Sequence, residues 1–315
     1  MENINKLYQK PIIIYSTDKF FFWYLYRVIS KIFEEFNIEH KLVFTLPNKP
    51  NDLKDNLYII GFDYLKQLSI TKENIMDYIP KNFVYYHSEA IDHDLVHKSF
   101  TKLDYIGQIL PKAYQIWNYS RLYDLWFKEK GMNSIFVPLS YNNLLDMSNK
   151  YINNLKKIDV LCLYGSISKR RQKNIDLIRE KKINVFIPKK CVYGEELDLL
   201  VSQAKIIISV HYSDIFSHKC FDFCRLSQLI SKKAVIVAES SNDPLSDKLF
   251  ADNINIVSYD DIPEKCFEII NNYKIYSEKS DKTYEWFKVN FKMNNFIINN
   301  DTTYLLQNTN NDRIL

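Results

Sequence analysis

The sequence has 315 residues, of which 46% are hydrophobic, 25% charged and 15% aromatic, with a formal net charge of +4. A chain of this length accommodates two domains of ordinary size, and its apolar content excludes an extended disordered polymer. The slight positive excess excludes long-range steering of nucleic acid, and no nucleic-acid-binding module is spelled among its residues.

The first thirty residues hold two short apolar runs, Pro11–Ser16 and the segment around Phe20–Tyr26, separated by Lys19 and followed by Arg27 and Lys31. Neither has the length of a membrane span nor the small-residue cleavage site of a signal peptide, so the expectation is a soluble, cytoplasmic protein with no transmembrane segment. The same runs read as a buried strand and a core helix. Phe21, Leu25, Val28, Ile32 and Phe36 fall on one face of a helix over Phe20–Phe36. Further strands are predicted at Lys41–Leu46, Leu57–Gly61 and Phe83–His87, then near Tyr114–Trp117. A helix follows over Ser120–Lys130, and a strand near Ser134–Val137.

Ser140–Lys157 is polar and reads as a linker with room for one helical stretch. The pattern then restarts with Ile158–Tyr164, an apolar run of the kind a central parallel strand needs. A basic helix over Lys169–Lys181 precedes a strand at Asn184–Pro188. A helix over Gly194–Ala204 precedes the strand Lys205–Val210, and a helix from about Lys219 to Ser231 precedes Ala234–Ala238. A strand near Asn255–Ser258 leads to a helix over Ile262–Tyr273. The last predicted helix, Lys282–Ile298, aligns Trp286, Val289, Met293 and Phe296. Strands alternating with helices throughout predict an α/β fold with parallel sheets.

Five cysteines, at positions 162, 191, 220, 224 and 266, give no disulfide framework. His218, Cys220 and Cys224 lie close together without a second pair, so they read as packing residues rather than a zinc site. Asp92-His93-Asp94 is the nearest approach to a metal set and reads as a solvated loop triplet, so no metal is expected.

Two clusters carry chemistry. Tyr164-Gly165-Ser166-Ile167-Ser168-Lys169-Arg170-Arg171 closes a buried strand and opens a helix, where unpaired N–H groups and the positive dipole end suit a phosphate. The alternative is an N-capped helix with a solvated basic face. The second cluster, His211 to Arg225, follows the strand Lys205–Val210, so Asp214 lies at a carboxyl strand end and Asp222 at the next helix start. Carboxylates so placed can accept hydrogen bonds from sugar and ribose hydroxyls. Alternatively, Asp222 complements the helix N-terminus and Asp214 is a turn residue.

The order Tyr164-Gly165-Ser166, Arg170-Arg171, Tyr193-Gly194-Glu195-Glu196-Leu197-Asp198, Ala204–Tyr212 and Phe221–Ser240 resembles the GT-B-fold glycosyltransferase-like proteins of large DNA viruses and bacteria. The resemblance covers about Tyr85 to Ser240 and is firmest in the C-terminal half, which is similar to the retaining family-4 type. It implies two Rossmann-like domains facing a cleft. Residues 1–145 form the acceptor side and 146–280 the donor side, with 281–315 supplying a helix that packs back across both and a tail. The implied activity is metal-independent transfer of a sugar from a nucleotide-diphosphate sugar, a UDP-sugar first, to a glycan or glycoprotein acceptor, in the host cytoplasm if the protein is viral.

By the same resemblance, Asp214 and Asp222, seven residues apart where the family has Glu at both places, meet the donor sugar hydroxyls and the nucleotide ribose. Arg170 or Arg171 neutralises the diphosphate, with Lys169 behind them, while Gly165, Ser166 and Ser168 line the phosphate turn. Pro188 and Tyr193 face the base, and His211 completes the donor site. His87 and Glu89 stand on the acceptor side as base or orienting groups, and Trp117 and Tyr119 as sugar-stacking rings; the alternatives are a hydrogen-bonded strand-end residue for His87 and aromatic core packing for the two rings. The competing expectation is a non-catalytic relative that binds a nucleotide or glycan, or partners another transferase; the two Asp-for-Glu changes and the presence of only 5 Gly support it.

Overall fold

The computed structural model describes residues 11–16, 23–53, 56–71, 74–89, 107–146, 154–164, 166–216 and 219–298. They divide into two compact units. Residues up to Leu139 together with Met293–Ile298 form unit 1, and Ser140–Lys292 form unit 2.

Unit 1 contains one six-stranded sheet. Its strands are β1 (Ile12–Tyr15), β2 (His40–Val43), β3 (Tyr58–Gly61), β4 (Phe83–His87), β5 (Gln115–Asn118) and β6 (Ser134–Phe136), in the order β2-β1-β3-β4-β5-β6. Every pairing is parallel. The helices α1 (Trp23–Glu35), α2 (Phe62–Thr71) and α3 (Arg121–Glu129) connect strands. Burial of Leu25, Tyr26, Val28, Ile29, Ile32 and Phe33 accounts for the helical periodicity in α1. The helix α2 has no counterpart in the sequence reading, because its apolar residues Phe62, Tyr64, Leu65 and Leu68 directly continue those of β3.

Unit 2 contains a five-stranded sheet of β7 (Ile158–Cys162), β8 (Val185–Phe186), β9 (Ala204–Ser209), β10 (Ile236–Glu239) and β11 (Asn255–Val257), in the order β11-β10-β9-β7-β8 and again all parallel. Its helices are α4 (Lys169–Glu180), α5 (Gly194–Gln203), α6 (Phe223–Ile230), α7 (Pro244–Phe250), α8 (Ile262–Asn271) and α9 (Tyr273–Asn290). On one face, Ile175 and Ile178 of α4 and Ile262, Cys266 and Ile269 of α8 close over Val160, Cys162, Ile206, Ile208 and Val237. Central strands covered on both faces need near-continuous apolar side chains, which is why Ile206-Ile207-Ile208 reads so clearly as a strand. With few glycines available, Asn37, Lys182 and Lys233 take the left-handed backbone positions that follow α1, α4 and α6.

Two of the expected helices differ in their bounds from the sequence expectation. The helix expected from Lys219 begins at Phe223, because the Asp222 side chain accepts the Arg225 N–H and caps it. The single helix expected over Lys282–Ile298 is two: α9 starts earlier and stops at Asn290, and α10 (Met293–Ile298) belongs to unit 1. Phe291 interrupts them because its ring packs on Phe223, Phe250 and Phe287 while its carbonyl accepts the Tyr141 N–H at 2.9 Å. None of the five cysteines forms a disulfide, and Cys162, Cys220, Cys224 and Cys266 are buried as packing residues. His218 and Asp92-His93-Asp94 lie outside the described residues.

Candidate functional site

In unit 2 the chain runs from β7 outward to β8, then crosses back to β9 and continues to β10 and β11. The strand order reverses between β7 and β9, and the carboxyl ends of strands at such a reversal are the position at which open α/β sheets bind ligands. Ser166 to Arg171 follow β7 and His211 to Asp214 follow β9, so both clusters singled out in the sequence arrive at this one end of the sheet.

Arg171 is 8% exposed. Its Nε donates to the Val210 carbonyl at 2.9 Å and its Nη1 to the Ser166 carbonyl at 3.0 Å, while its guanidinium lies 4.1 Å from the Tyr164 ring centre and 5.5 Å from that of Tyr212. Tyr164 is itself fixed by accepting the Val210 N–H at 3.0 Å. Among the described residues no carboxylate forms an ion pair with Arg171. Burial, followed by the like charge of Arg225, lowers its pKa to about 10. Ser168 caps α4 by accepting the Arg171 N–H at 3.2 Å. Gly165 lies outside the described residues.

Arg170 is held differently. Its Nη1 and Nη2 donate to Glu239 Oε2 and Oε1 at 2.7 and 2.6 Å, and its Nε donates to Asp214 Oδ1 at 2.7 Å. Its guanidinium lies 3.8 Å from the Tyr259 ring centre, and the Tyr259 hydroxyl donates to the Arg170 carbonyl at 2.8 Å. Glu239, with 1% of its side chain exposed, also accepts the His211 N–H at 3.0 Å and lies 3.3 Å from Lys219 Nζ. Burial works to raise the Glu239 pKa, but Arg170 and His211 outweigh it and hold the carboxyl below its ordinary value. Burial lowers the His211 pKa against the opposing pull of Glu239, and its Nε2 lies 3.3 Å from the Ser240 carbonyl.

Of the two aspartates, Asp214 reaches Arg170 while Asp222 caps α6 and lies 3.5 Å from Arg225 Nη2. Pro188 follows β8 and is half-buried, and Tyr193 occupies the N-cap position of α5. Because the sheet is parallel, both leave the same end of it as Arg171. Glu239 and Tyr259 were missed in the sequence. The available signal was a carboxylate closing the apolar strand Ile236-Val237-Ala238, a costly position unless the charge is paired.

In unit 1, His87 ends β4 and has no exposed surface. The rings of Tyr123 and Phe127 meet it edge-on at 4.8 and 5.0 Å. Burial pushes its pKa down from 6.5 to about 3. Between those values the unfolded chain binds the extra proton and the native state does not. The stability His87 contributes is therefore complete above pH 6.5 and is lost as pH falls towards 3, on the order of a few kcal/mol. The His87→Phe variant is expected to flatten the pH dependence of the unfolding midpoint across that window; an unaltered profile would show that other groups dominate acid unfolding. Glu89 is half-buried just beyond β4. Trp117 and Tyr119 are 6% and 5% exposed, so both serve mainly as packing rings.

Among the described residues, no cluster of three or more His, Cys, Asp or Glu side chains is arranged to hold a metal ion, and no helix is long and apolar enough to cross a membrane. No family model matches the chain. An uncharacterized protein of Acanthamoeba polyphaga mimivirus is 26% identical over 212 residues, which cover 62% of this chain and 24% of that protein. A second mimivirus protein is 24% identical over 67% of this chain and 73% of its own length. This chain thus spans about a quarter of the first relative and most of the second. Among solved structures, Anabaena HepE in complex with UDP and glucose is similar with a TM-score of 0.60 at 10% identity, over 94% of this chain and 99% of that one. Sucrose-phosphate synthase from Thermosynechococcus elongatus has a TM-score of 0.56 at 9% identity, over 89% and 95%. The fold is that of the GT-B glycosyltransferases: two α/β units, each built on a parallel sheet.

Proposed function

We propose that the chain is a glycosyltransferase that moves a sugar from a nucleotide-diphosphate sugar to a glycan or other acceptor, with retention at the anomeric carbon, and that unit 2 binds the donor. The observation that carries this reading is Arg171. It is a buried guanidinium held by two carbonyl oxygens and two aromatic rings, without an ion-pair partner among the described residues, at the reversal point of a parallel sheet. A buried cation is costly unless an anion meets it, and a diphosphate supplies that anion. The HepE complex holds UDP and glucose in a chain of the same fold, which supports the class of ligand.

In the transfer, the bond between the anomeric carbon and the diphosphate oxygen breaks and an acceptor oxygen forms the new bond from the same face. The acceptor proton passes to the departing phosphate. Negative charge grows on the leaving diphosphate, so fixed cations at Arg170 and Arg171 lower the barrier. Asp214, on the loop after β9, is positioned to accept from sugar hydroxyls, while Pro188 and Tyr193 flank the base. On the acceptor side, the half-buried Glu89 suits an orienting role better than His87, whose burial makes it a weak base. Asp222 caps α6 through Oδ1, which leaves Oδ2 to accept from the ribose.

A second reading is favoured by the carboxylates on Arg170: a non-catalytic relative in which Glu239 and Asp214 have taken the place of a ligand. A panel of UDP-, GDP- and dTDP-sugars assayed for nucleotide release separates the two. Turnover of one donor, reduced about a thousandfold or more by combining Arg170→Ala with Asp214→Ala, is the expected result. Binding of a nucleotide without turnover of any donor on the panel supports the second reading.

A further inference from the structure

We propose that Glu239 is the positioning residue of the unit 2 site, holding Arg170 so that its side edge faces the donor diphosphate. We further propose that Asp214 is a built-in substitute for a phosphoryl oxygen, released from Arg170 when the diphosphate arrives. The proposal rests on the donor reading above and assigns roles that the sequence pattern does not reach.

A guanidinium presents two bidentate edges: the end edge formed by both Nη atoms, and the side edge formed by Nε and the neighbouring Nη. In Arg170 the end edge is saturated. Both oxygens of Glu239 accept from it, at 2.7 and 2.6 Å, and that carboxylate has 1% of its side chain exposed. Glu239 is in turn fixed by the His211 N–H at 3.0 Å and by Lys219 Nζ at 3.3 Å. With the Tyr259 ring 3.8 Å from the guanidinium, Arg170 has one well-defined orientation.

The side edge is occupied in another way. One oxygen of Asp214 accepts from Nε at 2.7 Å, and the Asp214 side chain is 76% exposed. A singly bonded carboxylate this exposed is weakly held. A phosphoryl group offers two oxygens and greater charge to the same edge, so it displaces the aspartate rather than the glutamate. Charge points the same way. While Asp214 is seated, Arg170 and Lys219 are balanced by Glu239 and Asp214. Once Asp214 leaves, the group carries one net positive charge next to the buried cation of Arg171, which suits a dianion. The released Asp214 is then free to accept from the donor's hydroxyls, so one exchange opens the phosphate site and supplies the sugar contact.

The test is calorimetric titration of the full chain with UDP, GDP and inorganic pyrophosphate, using the parent, Asp214→Asn, Glu239→Gln and the double variant. Asp214→Asn removes the competing anion and is expected to tighten pyrophosphate binding about three- to tenfold, with unfolding unchanged because the residue is exposed. Glu239→Gln is expected to weaken binding about tenfold and to abolish the gain from Asp214→Asn in the double variant, with Glu239→Asp restoring part of it. A purely structural Glu239 would instead leave the gain from Asp214→Asn intact. Should Glu239→Gln fail to fold, Asp214→Asn together with the Arg170 Nε–H resonance decides the matter: pyrophosphate must shift that resonance in the parent as it takes Asp214's place. Unchanged or weaker pyrophosphate binding by Asp214→Asn overturns the proposal, even where nucleotides bind the parent and the donor reading stands. Tighter pyrophosphate binding in a chain that takes no nucleotide upholds the exchange and rejects the donor reading instead.

Discussion

Arg171→Ala is expected to weaken binding of a nucleoside diphosphate by about a hundredfold or more, a loss of roughly 3 kcal/mol. The size follows from where the cation sits. It is buried, its partners are the Val210 and Ser166 carbonyls, and Tyr164 and Tyr212 flank its guanidinium. A charge-assisted bond in such surroundings is far stronger than one on the surface. The folded chain itself loses little. Two carbonyls lose a donor, but the cost of burying a guanidinium that has no ion-pair partner among the described residues also disappears, and these effects partly cancel. Arg171→Lys keeps the charge without the planar fork and is expected to fall between parent and alanine variant. Equal affinity of parent and alanine variant in calorimetry would make Arg171 a structural cation and leave the diphosphate without its main partner.

The second large effect is on stability. Phe250→Ala is expected to destabilise unit 2 by about 3–5 kcal/mol and to lower its unfolding midpoint by on the order of 10 °C. Phe250, 1% exposed at the end of α7, meets the rings of Phe221, Phe223, Trp286, Phe287 and Phe291 at 5.0 to 6.3 Å between centres. Removing it leaves a cavity between α6, α7 and α9. Phe223 directly follows the capping residue Asp222, so the same cavity loosens the start of α6 at the edge of the candidate site. Phe250→Leu retains most of the volume and is expected to cost clearly less. Calorimetric scans of the three proteins measure the series; a midpoint for Phe250→Ala matching the parent would show that the cluster repacks fully.

Elements whose burial dictates their composition were legible before any coordinates. Ile206-Ile207-Ile208 can be little other than a covered strand, and Ser168 ahead of Lys169-Arg170-Arg171 marks a helix start that the structure caps as expected. What the sequence leaves open is decided by partners distant along the chain. The break after α9 depends on Tyr141 reaching the Phe291 carbonyl and on rings from α6 and α7. The resemblance pairs Asp214 and Asp222 at the donor, one for the sugar and one for the ribose, yet one bonds an arginine 44 positions away and the other caps its own helix. Arg170 and Arg171 are adjacent and chemically identical, but successive helix positions point them to different surroundings: one meets carboxylates, the other carbonyls. Glu239, 69 residues from Arg170, becomes part of the site only when β10 is placed beside β9.

The most direct measurement is a crystal structure of the full chain grown with the nucleoside diphosphate that binds best. Density for the diphosphate at the carboxyl ends of β7 and β9, within hydrogen-bond distance of Arg171, is the predicted result. A nucleotide seated elsewhere on the chain, with Arg171 still bonded only to its carbonyls, would contradict the donor assignment of unit 2.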